Sequence, residues 1–209
     1  MPLENIVVER DRAWGIWRIT EEEKTLSDDI SPTEQLSETV KHTNKRLEWL
    51  AGRVLVKHVL ASMQLPFHGI TKDSFGKPHP KGHPYHLSLS HSYPYVATLV
   101  DKSISVGIDL EQPKLKLLRI APRIFTATEL ADAGQDIVKH CIYWCAKEAL
   151  IKVYGQKDLI FSENLMVEPF TLQASGNING RIIVGDSERV IPLRYIIYPN
   201  FVLVFNQQS

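Results

Sequence analysis

The sequence is poor in cysteine, with only Cys141 and Cys145 among its 209 residues. The two cysteines fall one helical turn apart, so a disulfide framework is not supported and two buried free thiols are expected. No apolar run approaches the length that spans a bilayer, and the first residues show no basic-then-apolar leader. These features predict a protein of a reducing, cytoplasmic compartment that has no membrane partner.

An excess of charge of either sign is also lacking. The 24 lysines and arginines balance the 24 aspartates and glutamates, so the net charge is zero with histidine neutral. Nucleic acids and anionic membranes attract proteins largely through an excess of positive charge. The balance argues against both as partners, although it is compatible with a local basic pocket. At 44% hydrophobic residues, the chain has enough apolar material for a sizeable core.

The hydrophobic periodicity predicts two long helices and several groups of strands. One helix is expected over residues 44–63 and the other over 136–154, with Gly155 as the C-terminal cap of the second. Strands are expected within residues 5–20, in a meander over 85–110 and in a second meander over 170–205. Three other stretches are interpreted as a solvated charge run (21–24), the start of a helix (33–38) and a loop without regular structure (64–84).

The two halves of the chain share one predicted order of elements, a long helix followed by an antiparallel meander. We therefore expect an α+β fold of two similar halves, residues 1–103 and 104–209, each with its helix packed on an antiparallel sheet. A ligand site built from both halves would lie in the cleft between them, where pockets commonly form. Two halves fused in one chain favour a monomer.

Residues 104–111 combine strand-like alternation with two carboxylates. Asp109 and Glu111 lie on the polar face, two strand rises or roughly 7 Å apart, so both can contact one divalent ion. Gly107 lies on the same face and is expected to let a ligand approach the backbone. Acid-x-acid patterns are common, with roughly three expected by chance in such a chain. Only this one lies inside a strongly alternating apolar strand.

The second long helix adds a third carboxylate and a cation. Glu148 and Lys152 are four residues apart and therefore share a face of the helix. Together with Asp109 and Glu111 they indicate a magnesium site for a phosphate ester. The alternative is an ordinary surface pair, since glutamate before lysine at this spacing is a favoured orientation.

Other charged residues allow two interpretations each. Arg46 and Arg53 on the first helix either provide solubility or contact a phosphate, and the two interpretations have equal weight. The basic and apolar residues over 113–133 form either a simple amphipathic segment or a docking surface for an acidic partner. Zinc binding is disfavoured for the crowded histidines between 79 and 91, because two lie in His-Pro pairs and no cysteine is near.

Several short motifs occur in an order that resembles the Sfp-type 4′-phosphopantetheinyl transferases, over about residues 46–155. Each motif alone is weak, but the combination in this order is specific. The motifs are Gly76-Lys77-Pro78, Ser88-Leu89-Ser90-His91-Ser92, Val106-Gly107-Ile108-Asp109-Leu110-Glu111, Phe125 with Glu129, and Trp144-Cys145-Ala146-Lys147-Glu148-Ala149 with Lys152. A departure is Tyr93, followed by Pro94, where the family often has glycine after Ser-His-Ser.

The resemblance implies a fold of two similar α+β halves and an activity. The activity is transfer of the phosphopantetheine arm of coenzyme A to a serine of an apo acyl, polyketide or peptidyl carrier protein, with release of adenosine 3′,5′-bisphosphate. By this resemblance Asp109, Glu111 and Glu148 would hold Mg²⁺ on the pyrophosphate. Glu148 would also be the base for the serine, and Lys152 would neutralise charge on the phosphates.

The same resemblance assigns the nucleotide phosphates to Lys77, Ser90, His91 and Arg53, and the carrier protein, which is acidic in this family, to the segment between Glu111 and Trp144. Two other functions are considered beside it. One is a non-catalytic relative that binds coenzyme A or a carrier protein, against which the intact acidic residues and Lys152 argue. The other is an unrelated Mg²⁺ phosphohydrolase.

Overall fold

The structure is a computed structural model that describes residues 3–30, 34, 36, 38–156 and 158–208. The chain forms two compact units, Met1–Val106 and Gly107–Ser209. Each unit combines helices with an antiparallel sheet, which confirms the predicted α+β class. None of the helices in these described ranges has both the length and the apolar content needed to cross a membrane.

The first unit is a four-stranded sheet covered by one long helix. Its sheet has the order β1-β2-β6-β5 with antiparallel neighbours, and β3 pairs with β4 separately. The apolar face of α2 packs on this sheet through residues such as Leu55 and Val59. The elements are β1 (Leu3–Val8), β2 (Arg12–Arg18), α1 (Glu23–Asp29), α2 (Thr43–Ser62), β3 (Ile70–Lys72), β4 (Pro78–Pro80), β5 (His86–Ser92) and β6 (Tyr95–Asp101).

The charge run 21–24 was interpreted as solvated; its Glu22 and Lys24 are exposed, and it leads into helix α1, which buries Leu26. Another interpretation of the first unit was wrong. The stretch 64–84, which was expected to lack regular structure, contains the β3–β4 pair. A turn rich in proline and glycine can still connect two short paired strands. The Asp73 carboxylate forms this turn by accepting from the backbone N–H groups of Phe75 and Lys77. The helix expected over 33–38 lies largely outside the described residues.

The second unit is a five-stranded antiparallel sheet with the order β7-β11-β10-β9-β8. Helix α5 packs on it, begins after Asp136, whose side chain accepts from two backbone N–H groups, and ends at Gly155 in the left-handed conformation. The predicted cap is thus confirmed. The elements are β7 (Ile108–Glu111), α3 (Lys116–Ile124), α4 (Ala127–Ala133), α5 (Ile137–Tyr154), α6 (Phe161–Asn164), β8 (Leu165–Val167), β9 (Ser175–Val184), β10 (Ser187–Ile197) and β11 (Val202–Asn206).

The carboxylate strand is shorter than expected and has a different partner. The predicted strand over 104–110 begins only at Ile108, because the Asp101 carboxylate accepts from the backbone N–H groups of Ser103 and Ile104 and holds a turn there. Strand β7 then pairs with β11 rather than continuing the first meander. The strand expected near 170–174 was also wrong, since the edge strand of this sheet is β8.

A buried ion pair lies in the second unit where α3, α4 and α5 approach each other. The Lys147 ammonium is fully buried and donates to the Glu129 carboxylate at 2.7 Å and to the backbone carbonyls of Ile124 and Phe161. Glu129 also accepts from the backbone N–H groups of Thr126 and Val167. A buried charge is tolerated only with such complete pairing.

Candidate carboxylate group and candidate anion pocket

Strand β7 and helix α5 bring the four predicted residues of the second unit together. The Lys152 ammonium donates to Asp109 Oδ1 at 2.8 Å and to the Ile108 carbonyl at 2.8 Å. Asp109 is only 6% exposed. The helical spacing of Glu148 and Lys152 places both on the side of α5 that faces β7. The structure therefore joins residues that are about forty positions apart in sequence.

Burial and the charges of this group together shift the pKa of Glu148. The pKa of Glu148 is raised to about 7, first by burial and also by the negative charges of Asp109 and Glu111, while Lys152 opposes the rise. A carboxylate with two like charges nearby favours a cation at its side. The four residues, Asp109, Glu111, Glu148 and Lys152, form what we call the carboxylate group.

Glu111 occupies the more exposed end of this group. Its side chain accepts from the Lys116 ammonium at 3.2 Å and from the Gln112 backbone N–H at 2.9 Å. Asp109 and Glu111 are two positions apart on β7 and therefore share one face of the strand, as the alternation predicted.

The side-chain oxygens of the carboxylate group indicate which metal ion would suit it. Three carboxylates supply only oxygen, which is the ligand type that Mg²⁺ prefers. Their mutual repulsion, which contributes to the raised pKa of Glu148, is what a divalent cation would relieve. As the side chains stand, no three His, Cys, Asp or Glu residues within the described ranges surround a common metal position. The donor set thus fits Mg²⁺ in chemistry, and its use as a metal site stays a prediction.

Gly107 has a different role from the one expected. A Cβ atom at this position would lie 2.0 Å from the backbone oxygen of Ala149 on α5. The space beside Gly107 is therefore filled by the helix and gives no room for a ligand. The close approach that this glycine permits brings α5 against β7, and with it Glu148 and Lys152 toward Asp109.

The first unit contains a pocket of about 360 Å³ beside α2. Its wall carries three permanent cations, Lys45, Arg53 and Lys72, and one carboxylate, Glu48. This excess of positive charge suits an anionic ligand. We call this cavity the anion pocket; its lining residues are Val40, Lys45, Glu48, Trp49, Gly52, Arg53, Ile70, Lys72, Gly76, Pro78, Leu89, Ser90, His91 and Val96.

Arg53 lies in this pocket with its guanidinium held in one plane. The group stacks 3.4 Å from the centroid of the Trp49 ring, pairs with the Glu34 carboxylate through Nε, and donates to the Trp49 carbonyl through Nη1. Burial lowers the pKa of Arg53 and the Glu34 charge opposes this. Arg46, the other arginine considered, pairs with Glu23.

Two of the remaining predicted phosphate ligands line the anion pocket. Ser90 is buried, and the imidazole of His91 contacts the Glu48 carboxylate at 3.2 Å from Nδ1. Lys77 stands between two lining residues, Gly76 and Pro78, and its ammonium donates to Ser105 Oγ at 2.5 Å. Burial lowers the pKa of Lys77 to about 8.

Sequence reasoning missed several residues of the pocket, of which Glu48 is the clearest. It lies on the buried face of α2 between Leu47 and Leu50. A carboxylate on an apolar helix face is the signal that could have found it, since buried charges require partners. Trp49, Lys45 and Lys72 carried no comparable signal, because they follow the pattern of ordinary surface or half-buried positions.

Within the described part of the chain, the crowded histidines between 79 and 91 belong to no group of side chains that could hold a metal ion. His83 stacks between His68 and Tyr85, with ring centroids 5.9 and 5.6 Å away, and His79 contacts Asp73. Both cysteines, Cys141 and Cys145, are buried and free, which confirms that prediction.

Comparison with known proteins supports the resemblance that the motifs suggested. Residues 105–192 match the 4′-phosphopantetheinyl transferase superfamily. This segment contains the whole carboxylate group and lies almost entirely in the second unit. The similarity of the chain to this superfamily is thereby confirmed.

Individual relatives agree with this similarity over about half of the chain. The chain is 38% identical over 116 residues to 4′-phosphopantetheinyl transferase psf-1 of Bacillus pumilus, covering 51% of this chain and 49% of the relative. It is 35% identical over 116 residues to 4′-phosphopantetheinyl transferase Sfp of Bacillus subtilis, covering 51% of each chain. It is 31% identical over 119 residues to 4′-phosphopantetheinyl transferase AcpT of Salmonella typhimurium, covering 53% of this chain and 60% of the relative. The matches thus span about half of these curated relatives.

Proposed function

We propose that this chain is a Mg²⁺-dependent 4′-phosphopantetheinyl transferase. It transfers the phosphopantetheine arm of coenzyme A to a serine of an apo carrier protein and releases adenosine 3′,5′-bisphosphate. The observation that carries the proposal is the carboxylate group, in which β7 and α5 unite three carboxylates and a lysine inside the segment that matches the superfamily. The relatives named as 4′-phosphopantetheinyl transferases support it.

Asp109, Glu111 and Glu148 are the residues that would hold Mg²⁺. A bound Mg²⁺ would supply neutralisation of the pyrophosphate charge, which phosphoryl transfer needs more than covalent help. Lys152 adds a cation beside Asp109 for the same charge. In the reaction the serine oxygen forms a bond to the phosphorus that carries the pantetheine arm, and the bond from that phosphorus to adenosine bisphosphate breaks.

Glu148 is the proposed acceptor of the serine proton, directly or through one water. Its carboxylate is partly buried and lies one helical turn from Lys152, so its orientation is set by the packed helix rather than by a mobile loop. The proton leaves the serine hydroxyl as its oxygen attacks, and the bisphosphate departs with the electrons of the broken bond.

The adenosine phosphates are assigned to the anion pocket. Coenzyme A carries three phosphates, and the pocket offers Arg53, Lys45 and Lys72 with Ser90 and His91. Lys77, next to two lining residues, is proposed to contribute a further cation. Guanidinium and ammonium donors form their strongest hydrogen bonds with such anionic oxygens.

Helix α3 is the proposed docking segment for the carrier protein. Lys116, Arg119 and Arg123 are exposed on it, beside Leu115, whose side chain is 69% exposed. A basic face with an exposed apolar residue suits an acidic helical partner.

The experiment that tests the function combines the purified chain with coenzyme A, Mg²⁺ and a panel of apo acyl, polyketide and peptidyl carrier proteins. Mass spectrometry should show one carrier gaining the mass of the phosphopantetheine arm, and chelation of Mg²⁺ by EDTA should stop the gain. Coenzyme A binding without any gain across the panel would instead favour a non-catalytic relative. Release of inorganic phosphate from nucleotides without carrier modification would favour a phosphohydrolase.

A further inference from the structure

Glu48 is a buried carboxylate in the wall of a pocket that is otherwise basic. Its side chain is only 4% exposed, and it lies on α2. Nothing in the proposed reaction requires an acid at this position. A carboxylate in a site for anions weakens their binding through repulsion, so its presence there calls for another role.

The contacts of Glu48 indicate what that task is. One carboxylate oxygen accepts from the backbone N–H of Tyr93 at 2.9 Å. The other accepts from the Lys45 ammonium at 2.7 Å and contacts His91 Nδ1 at 3.2 Å. The carboxylate therefore connects α2 to the end of β5 and to the turn that follows it.

The contact with His91 orients the imidazole and favours its charged form over its neutral form. A hydrogen bond from Nδ1 to a carboxylate holds the ring in place, with Nε2 on the opposite edge, and stabilises the imidazolium form. The side chain of His91 is 51% exposed and lines the pocket, so a ligand can reach it.

The neighbouring charges show why a carboxylate is needed here. Lys45 and Arg53 on α2 and Lys72 on β3 share the pocket with His91, and all three disfavour a proton on its ring. From β6 the residue opposite His91 is the apolar Val96. Glu34 offsets the charge of Arg53, with which it pairs, and Glu48 is the carboxylate that contacts the ring itself.

We propose that Glu48 is a positioning residue that holds His91, as an imidazolium, and Lys45 together on one wall of the anion pocket, where they bind a phosphate dianion. This inference rests on the proposed function, since it takes the dianion to be a phosphate monoester of coenzyme A. Glu48 itself does not contact the ligand. Its effect passes through the two cations that it holds.

The test measures coenzyme A binding by calorimetry as a function of pH. Glu48→Gln keeps the shape of the side chain and removes its charge, so the dissociation constant should rise about tenfold at pH 7.5, where His91 then loses its proton. Near pH 5.5 an unassisted histidine is protonated, so the difference between variant and wild type should fall to about twofold. NMR of the His91 ring should show its titration moving to lower pH in the variant.

Matched variants separate this effect from a general structural one. Glu38→Gln changes an exposed glutamate of the same unit and should leave binding unchanged at every pH. His91→Asn, which leaves Glu48 in place, should show the same weakened binding at pH 7.5, and adding Glu48→Gln to it should weaken binding little further. If Glu48→Gln does not fold, NMR of the wild-type protein decides the question: the His91 ring should titrate above the ordinary value of about 6.5, and titration at or below that value would overturn the role of Glu48.

The outcomes distinguish the two proposals. Wild-type protein that does not bind coenzyme A would refute the proposed function. Wild-type protein that binds it, while Glu48→Gln binds equally well or is weakened equally at pH 5.5 and 7.5, would overturn the role of Glu48 alone. Tight binding by His91→Asn at pH 7.5 would overturn it as well.

Discussion

The two long helices, α2 and α5, pack on their sheets in the same way but bury charges of opposite sign. Each packs its apolar face on an antiparallel sheet, and each carries a charged residue into the interior. On α2 the buried charge is Glu48, which gathers cations at a basic pocket. On α5 it is Lys147, which holds Glu129, while the next residue, Glu148, belongs to the carboxylate group.

In each unit a buried charge of one sign thus organises the surrounding groups of the other sign. A buried ion is stable only if its neighbours are held in place around it, so it also fixes their positions. The units differ in how well comparison supports them. The superfamily match covers the carboxylate group, whereas the anion pocket lies outside it and rests on geometry.

The largest expected effect concerns the carboxylate group. Glu148→Gln should reduce the rate of carrier modification at least about thousandfold, because it removes a proposed metal ligand and the proposed base together. Coenzyme A binding in the anion pocket should change far less. The rate is measured by mass spectrometry at saturating Mg²⁺, with Glu163→Gln, an exposed glutamate of the second unit, as the control. Turnover close to that of the wild type would remove Glu148 from the mechanism.

Removal of the buried lysine on α5 should have the largest effect on the free energy of unfolding. Lys147→Met should lower the free energy of unfolding by about 3–5 kcal/mol, because it leaves Glu129 buried without its cation. Urea unfolding followed by circular dichroism measures this, and Lys24→Met, at an exposed position, should have almost no effect. A loss below about 1 kcal/mol would show that the pair is not a determinant of the unit's stability.

The two glycines under the long helices give a direct comparison of the units. Gly107→Ala places a Cβ atom 2.0 Å from a backbone oxygen of α5, so the helix must move, at a cost of about 3 kcal/mol. Gly15→Ala meets the flexible side chains of Leu55 and Val59 at 3.1 Å, together with a backbone oxygen at 3.2 Å, and should cost about 1 kcal/mol. Thermal unfolding of both variants measures which of them loses more stability. The reverse order would mean that α5 approaches β7 less closely than the structure indicates.

The last effect concerns the pKa of Lys77 and the dependence of stability on pH. Its pKa in the folded protein is about 8, below the ordinary value of 10.5, so between these values the unfolded chain binds more protons. Stability should therefore rise by about 1–2 kcal/mol as the pH increases from 8 to 10.5. Lys77→Met should abolish this contribution, which urea unfolding at pH 7, 8.5 and 10 would detect. An unchanged pH profile in the variant would place the titration elsewhere.

Local sequence patterns predicted the long helices and most strands of both sheets. The helix ending at Gly155 and the alternation that places Asp109 and Glu111 on one face depend on neighbours within a few residues. The pairing of β7 with β11 and the β3–β4 pair were missed, because strand partners are chosen by packing across long sequence separations.

The class of the fold, the periodic elements and the residue types of the carboxylate group could be predicted from the sequence, since they follow from short-range spacing and side-chain chemistry. Three features depend on packing between distant segments: Lys152 pairs with Asp109, Gly107 permits the close approach of a helix, and Glu48 faces a basic pocket. The reason is that the partners of a buried charge, and the atoms that fill the space beside a glycine, come from distant parts of the chain, where no local pattern records them.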